Sequence, residues 1–167
     1  VYCINAARYI FQSEPLEVSA YAESSDNPRF REVPEMVTVI MRFPENRLAQ
    51  FTCGFGESKV STYRVVGTLG DLMLSPAFTF SGDIRHTLTK DDKSKETTYR
   101  SRDQLAPLLI QFADCIINNE PCEPSGYEGL VDMQIIEAIR QSIESGESVK
   151  LDIPFRDYRP TLSRSEE

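Results

Sequence analysis

The stretch MVTVIMRFPENRLAQFTC, residues 36–53, decides the fold class. Through 36–43 the chain alternates, with Val37, Val39, Met41 and Phe43 on one side and Met36, Thr38, Ile40 and Arg42 on the other. That period of two is the signature of a strand. Pro44-Glu45-Asn46 supplies a short turn, and alternation resumes through Ala49, Phe51 and Cys53. The segment therefore predicts an antiparallel hairpin. Both of its faces are largely apolar, so one layer of helices would leave sheet surface that needs a second cover, such as another domain or subunit.

More β pattern lies on either side. Leu16, Val18 and Ala20 predict a strand over 16–21, followed by a polar loop over 23–34. KVSTYRVV at 59–66 predicts a third strand after a Gly-containing bend, and Gly67-Thr68-Leu69-Gly70 turns into DLML. From 77 to 100 come β-like pieces, FTFSG, IRHTLT and ETTYR, around a charged tip at 90–96 that reads as a solvated turn. The period then changes. Asp103 is placed to cap a helix over 105–118, with Pro107 in its first turn and Leu105, Leu108, Leu109, Phe112, Ala113, Ile116 and Ile117 along a stripe. A second helix, 127–145, carries Val131, Ile135, Ala138, Ile139 and Ile143 and ends at Gly146. SVKLDI at 148–153 returns as a strand, and 154–167 reads as a polar, loosely held tail. Strands followed by helices predict an α+β domain over 1–153: an open, mainly antiparallel sheet with helices on one face, a two-layer sandwich.

The chain has 167 residues with 40% hydrophobic content, enough for one core and too little for two comfortable ones. A net charge of −8 argues against nucleic acid, whose phosphates need a basic face. No apolar run approaches the roughly 20 residues of a membrane span, so a soluble protein is expected, with the cytoplasm as its compartment. The chain opens on Val1 within an amphipathic segment, which reads as a cut inside a larger protein or a processed end.

Candidate chemistry is sparse. Cys3, Cys53, Cys115 and Cys122 form no C-x-x-C pair and His86 is the single histidine, so neither a zinc site nor a nucleophile–histidine arrangement is expected. Gly54-Phe55-Gly56 lacks the third glycine and the following helix of a dinucleotide fingerprint, and reads as a turn. The N-terminal segment is more suggestive. Ile4, Ala7 and Phe11 form the apolar face of a helix over 3–12 that Pro15 terminates, while Tyr2, Asn5 and Arg8 are polar. Polar residues on one helix face are commonly just a wet face. A tyrosine can also exchange a proton with a hydroxyl, given a nearby cation to lower its pKa from about 10.

Taken in order, VYCINAARYIFQSEPLEVSAYAES, MVTVIMRF, YRVVGTLGDLMLSPAF and QFADCIINNEPCEPSGYEGLVDMQIIEAIRQSIESGESVKL make nearly the whole chain resemble one domain. It is the C-terminal domain of the glucose-fructose oxidoreductase / inositol dehydrogenase / MocA (Gfo/Idh/MocA) family. The resemblance implies an N-terminal Rossmann domain, outside this sequence, that binds NAD or NADP and supplies a lysine. The fragment itself would hold no cofactor and be inactive alone. Val1-Tyr2 matches the end of the family's Asp-x-Gly-x-Tyr segment, which makes Tyr2 the implied catalytic proton donor or acceptor. Asn5 is implied as a ligand of a substrate hydroxyl. Arg8 is a further substrate-binding candidate and equally an ion-pair partner; Lys59 and Gln104 are candidates in regions that line the pocket of relatives. The implied activity is hydride transfer between nicotinamide and a sugar, polyol or diol, with homo-oligomerisation through the sheet face. Export is possible, as some relatives are exported with their cofactor bound. The rival reading is a non-catalytic, sheet-based interaction or oligomerisation module.

Overall fold

The computed structural model describes residues 1–154. The expected polar tail lies outside the described residues from 155 onward. Two compact units emerge, one of Val1–Glu57 with the chain from Pro121, the other Ser58–Glu120.

The first unit holds helix α1 (Tyr2–Phe11), strands β1 (Glu17–Glu23), β2 (Met36–Phe43) and β3 (Arg47–Gly54), helix α3 (Gly126–Ser145) and the two-residue strand β8 (Val149–Lys150). Its sheet runs β3-β2-β1-β8, antiparallel throughout. Register pairs Val18 with Met41, Ala20 with Val39 and Val39 with Phe51, so these side chains share a face. That face is the core. Val18, Ala20, Val39, Met41 and Phe43 pack with Ile4 of α1 and with Val131, Ile135, Ala138 and Ile139 of α3. The hairpin and the apolar stripes of both helices are therefore as expected. β8 is shorter than the expected 148–153: pairing extends only to the Leu151 amide, which donates to Leu16 O at 2.9 Å. Beyond it Ile153 still packs on the core. Past the end of β8, the Ala20 amide is met by Ser142 Oγ of α3 at 3.0 Å, so no strand donor is lost there.

The second unit holds β4 (Tyr63–Gly67), β5 (Gly70–Leu74), β6 (Ile84–Lys90), β7 (Lys93–Tyr99) and helix α2 (Leu105–Asn118). Its sheet is a β4-β5-β6-β7 meander, again antiparallel. β4 begins later than expected because Ser61 is engaged elsewhere: its backbone O accepts from Ala77 N at 2.8 Å and its Oγ accepts from Phe78 N at 2.7 Å. FTFSG is likewise no strand; Thr79 Oγ1 bonds locally to the Ser81 backbone. The charged run at 90–96 is mostly strand. Its turn is only Asp91-Asp92, both at positive φ (50° and 57°), the pair a primed hairpin turn requires. Lys93 and Lys95 then decorate an edge strand, where charge discourages pairing with another chain. Asp103 caps α2, its Oδ1 accepting from Leu105 N and Ala106 N at 2.9 and 3.1 Å. None of the α2 side chains is buried. No described helix is long and apolar enough to cross a membrane.

One buried ion cluster docks α1 onto the first unit. Arg8, 1% exposed, donates from Nε and Nη2 to Glu14 at 2.7 and 3.0 Å, from Nη1 to Asp132 at 2.7 Å and from Nη2 to Glu128 at 2.8 Å. Three segments meet on one guanidinium: α1, the turn after it and the first half of α3. Removing a buried cation from its partners typically costs about 3–5 kcal/mol, because the carboxyl groups are left uncompensated. Arg8→Met should lower the urea unfolding free energy of the chain by about that amount. A loss under about 1 kcal/mol, the size of a surface pair, would show that the cluster is not what holds α1.

Candidate functional site

α1 carries the strongest candidates, and its geometry sorts them. At 3.6 residues per turn, a step of three residues rotates by about 60° around the helix, so Tyr2, Asn5 and Arg8 sweep through about 120° rather than sharing one face. Tyr2, in the first turn, is 57% exposed. Asn5 is half-buried and Arg8 wholly buried. The wet-face expectation thus holds for Tyr2 and not for Arg8, which turns beneath the helix to meet its carboxylates; of the two roles left open for it, the ion-pair one is what its contacts serve.

Asn5 links the two ends of this sweep. Its Nδ2 donates to Asp132 Oδ2 at 2.6 Å, and more weakly to Val1 O at 3.4 Å. Asp132 therefore bridges, one oxygen on Arg8 and the other on Asn5. No described residue bonds Asn5 Oδ1. At the far end of α1, Arg47 closes the helix: its Nη1 donates to Phe11 O at 2.8 Å, and its guanidinium lies over the Phe11 ring at 5.1 Å. This satisfies a carbonyl that the helix end leaves unpaired.

Sequence reasoning missed Glu14, Glu128 and Asp132. A signal for them existed. Glu128 and Asp132 stand at i and i+4 on α3, a like-charge spacing that destabilises a helix unless a cation intervenes. Arg8, four residues after Ile4, lies beside the apolar stripe and is that cation.

The other candidates lie in the second unit. Lys59 is exposed in the segment before β4. Gln104, at the start of α2, donates from Nε2 to Thr79 O at 3.1 Å. His86 packs against Tyr99 with ring centroids 5.3 Å apart and planes tilted by 52°, on the sheet face shared with Leu74 and Tyr63. Beside Tyr2, burial and then the neighbouring Cys53 thiol push Cys3 up, which keeps it a thiol at neutral pH rather than a nucleophile.

The Gly54-Phe55-Gly56 bend does not suit a dinucleotide phosphate. The space at Gly54 is filled by the Glu57 carboxylate and that at Gly56 by the Glu35 carboxylate. Two carboxylates at the glycines repel an anion, where a phosphate cradle presents backbone N–H groups.

D-xylose 1-dehydrogenase [NADP(+)] of Haloarcula marismortui is 26% identical over 153 residues, 91% of this chain and 42% of that protein. D-xylose 1-dehydrogenase (NADP(+)) 2 of Haloferax volcanii is 28% identical over 153 residues, 90% of this chain and 46% of its own length. The crystal structure of an aldose-aldose oxidoreductase from Caulobacter crescentus, complexed with glycerol, superposes with a TM-score of 0.83 at 27% identity. That match covers 90% of this chain and 45% of the other. The chain thus spans less than half the length of these relatives. The model of an oxidoreductase family's C-terminal alpha/beta domain matches residues 1–151, and the chain belongs to that family, Gfo/Idh/MocA.

Proposed function

We propose that this chain is the substrate-binding and oligomerising half, residues 1–153 with a polar tail, of an NAD(P)-dependent dehydrogenase. Its substrate is a sugar, polyol or diol, and Tyr2 is the proton donor or acceptor. The observation that carries this reading is α1 itself: an exposed tyrosine in the first turn of a helix whose other side is clamped by a buried ion cluster, with a half-buried asparagine one turn on. An open tyrosine on a rigid mount suits a group that must meet a substrate presented from outside the domain. The two D-xylose dehydrogenase relatives make an aldose the first substrate to try.

The division of labour follows from what the described residues can hold. The dinucleotide falls to an N-terminal Rossmann domain, because the glycine bend here is lined by carboxylates. NAD or NADP, when bound there, accepts or returns the hydride at the nicotinamide. This chain moves the proton: as a substrate C–H gives up hydride, the Tyr2 phenolate oxygen takes the proton of the hydroxyl on the same carbon, leaving a carbonyl; in reverse the phenol returns it. A lysine from the Rossmann domain would favour the phenolate. Asn5 orients the sugar through a second hydroxyl, and Arg8 acts from beneath by fixing the helix. Lys59 and Gln104 are proposed as further substrate contacts, through an exposed ammonium and through the amide oxygen that Gln104 does not use on Thr79. The fragment alone is proposed to be inactive, and the cytoplasm is its proposed compartment.

The test of Tyr2 uses the protein joined to its dinucleotide-binding domain, with D-xylose among a panel of aldoses. Tyr2→Phe should lower kcat by about 10²–10⁴-fold while leaving dinucleotide affinity nearly unchanged. Undiminished turnover would remove Tyr2 from the proton step, and no aldose turnover in the parent would favour the non-catalytic module.

The outer face of the first sheet supports homo-oligomerisation. Tyr21, Leu48 and Ile40 are 72%, 64% and 44% exposed there, beside a Thr38–Thr52 hydroxyl pair at 3.0 Å and an Arg42–Glu17 ion pair at 2.9 Å. A flat face of apolar and self-complementary polar groups fits a second copy of itself. Light scattering should find a dimer or larger, and Ile40→Lys with Leu48→Glu should give monomer. A monomeric parent at micromolar concentration contradicts the assembly.

A further inference from the structure

We propose that Asp132 is a positioning residue for the substrate site: it locks the Asn5 carboxamide with its oxygen outward, so that the site accepts a hydrogen bond from a hydroxyl beyond the one that reacts. This rests on the reading of α1 as the substrate-binding helix and specifies what that helix recognises.

A carboxamide has a donor end and an acceptor end of nearly the same shape, and on an open helix turn either could face a ligand. Asp132 removes the choice. The Asp132 carboxylate, paired with Arg8, only accepts, so the group 2.6 Å from its Oδ2 is the NH₂ of Asn5, and both bonds the amide makes are donations, a short part-buried one to Asp132 and a longer exposed one to Val1 O at 3.4 Å. Asp132 cannot turn to offer anything else, since its other oxygen is held by Arg8 Nη1 at 2.7 Å. Arg8 in turn cannot rotate away. Its Nε and Nη2 are bound to Glu14 and its Nη2 also to the half-buried Glu128, and Arg8 and Asp132 lie below the surface, 1% and 8% exposed. The chain of constraint runs Glu14 and Glu128, Arg8, Asp132, Asn5, and it ends on an acceptor oxygen one helical turn from Tyr2.

The polarity of that last atom selects the ligand class. An outward amide oxygen bonds a hydroxyl and disfavours a carboxylate, a phosphate or a carbonyl at the same place, since each would set acceptor against acceptor. The preferred substrate is thus a neutral molecule with at least two hydroxyls, such as an aldose or polyol, rather than a simple alcohol or a hydroxy acid whose carboxylate would fall on Asn5. Discrimination arises because a locked acceptor left without its donor stays unpaired, whereas an amide free to flip would adapt.

The experiment compares D-xylose with its 2-, 3- and 4-deoxy analogues in the protein joined to its dinucleotide-binding domain. In the parent, one analogue should lose roughly 10–100-fold in kcat/KM, marking the hydroxyl that Asn5 receives. Asp132→Asn keeps the size but lets the facing amides exchange donor for acceptor. It should raise KM for D-xylose about tenfold with kcat within about threefold, and shrink the deoxy penalty to under about threefold. Asn5→Ala should erase the same penalty, and the double variant should be no worse than Asn5→Ala alone. Should Asp132→Asn fail to fold, Asn5→Ala still decides: a penalty that survives it overturns the proposal. A penalty kept in a folded Asp132→Asn, or additive losses in the double variant, overturns the positioning role alone and leaves the sugar-dehydrogenase reading standing. No turnover of any aldose by the parent overturns that reading and this proposal with it.

Discussion

A single buried guanidinium organises the helix that carries the proposed substrate-binding residues. Arg8 is enclosed by Glu14, Glu128 and Asp132, contributed by the turn after α1 and by α3. Desolvating one cation and three carboxyl groups is expensive, and the geometry offsets that cost only because the planar donor fork of arginine can meet three acceptors at once. A lysine ammonium, with three donors, could not make all four of the bonds Arg8 makes. The cluster also explains how α3 tolerates Glu128 and Asp132 a helical turn apart: the cation between them turns a repulsion into a bridge.

The consequence for function lies in the rotation of one short helix. Over six residues α1 passes from open surface at Tyr2, through the half-buried Asn5, to the interior at Arg8. The core holds the helix from one side through Ile4, Ala7 and Phe11, and the ion cluster holds it from another. Tyr2, in the first turn, stays 57% exposed. In the proposed function, a proton-transferring group carried on so well fixed a mount keeps its direction as a substrate approaches.

Much of the fold was legible because it rests on periodicity. The alternation through 36–53 reported the hairpin but, with both faces largely apolar, not which of them is core, and the helical stripe of 127–145 reported the packed side of α3. Boundaries failed where side chains compete with the ladder: Ser61 diverts the start of β4, and Thr79 bends the segment that looked like strand. The charged run at 90–96 read as a loop because solvated strand edges and solvated turns have the same composition, and only the Asp-Asp pair has a turn's backbone. At the site, Tyr2 and Asn5 became candidates through the family resemblance, and local spacing gave only polar residues on a short helix. It could not reveal that Asp132, 127 residues away, holds Asn5, because no one-dimensional pattern encodes a contact between distant segments. The distribution of strands over two four-stranded sheets was likewise a matter of pairing rather than of pattern.

The central claim is that α1 presents a tyrosine and an outward-facing amide oxygen to a sugar. It is tested most directly by a crystal structure of this domain joined to its dinucleotide-binding partner, with an aldose bound. The account predicts Asn5 Oδ1 within about 3.2 Å of one sugar hydroxyl, the Tyr2 hydroxyl within the same distance of the reacting oxygen, and Asn5 Nδ2 still on Asp132. A sugar seated away from α1, or one that meets the NH₂ of Asn5 instead of its oxygen, would contradict it.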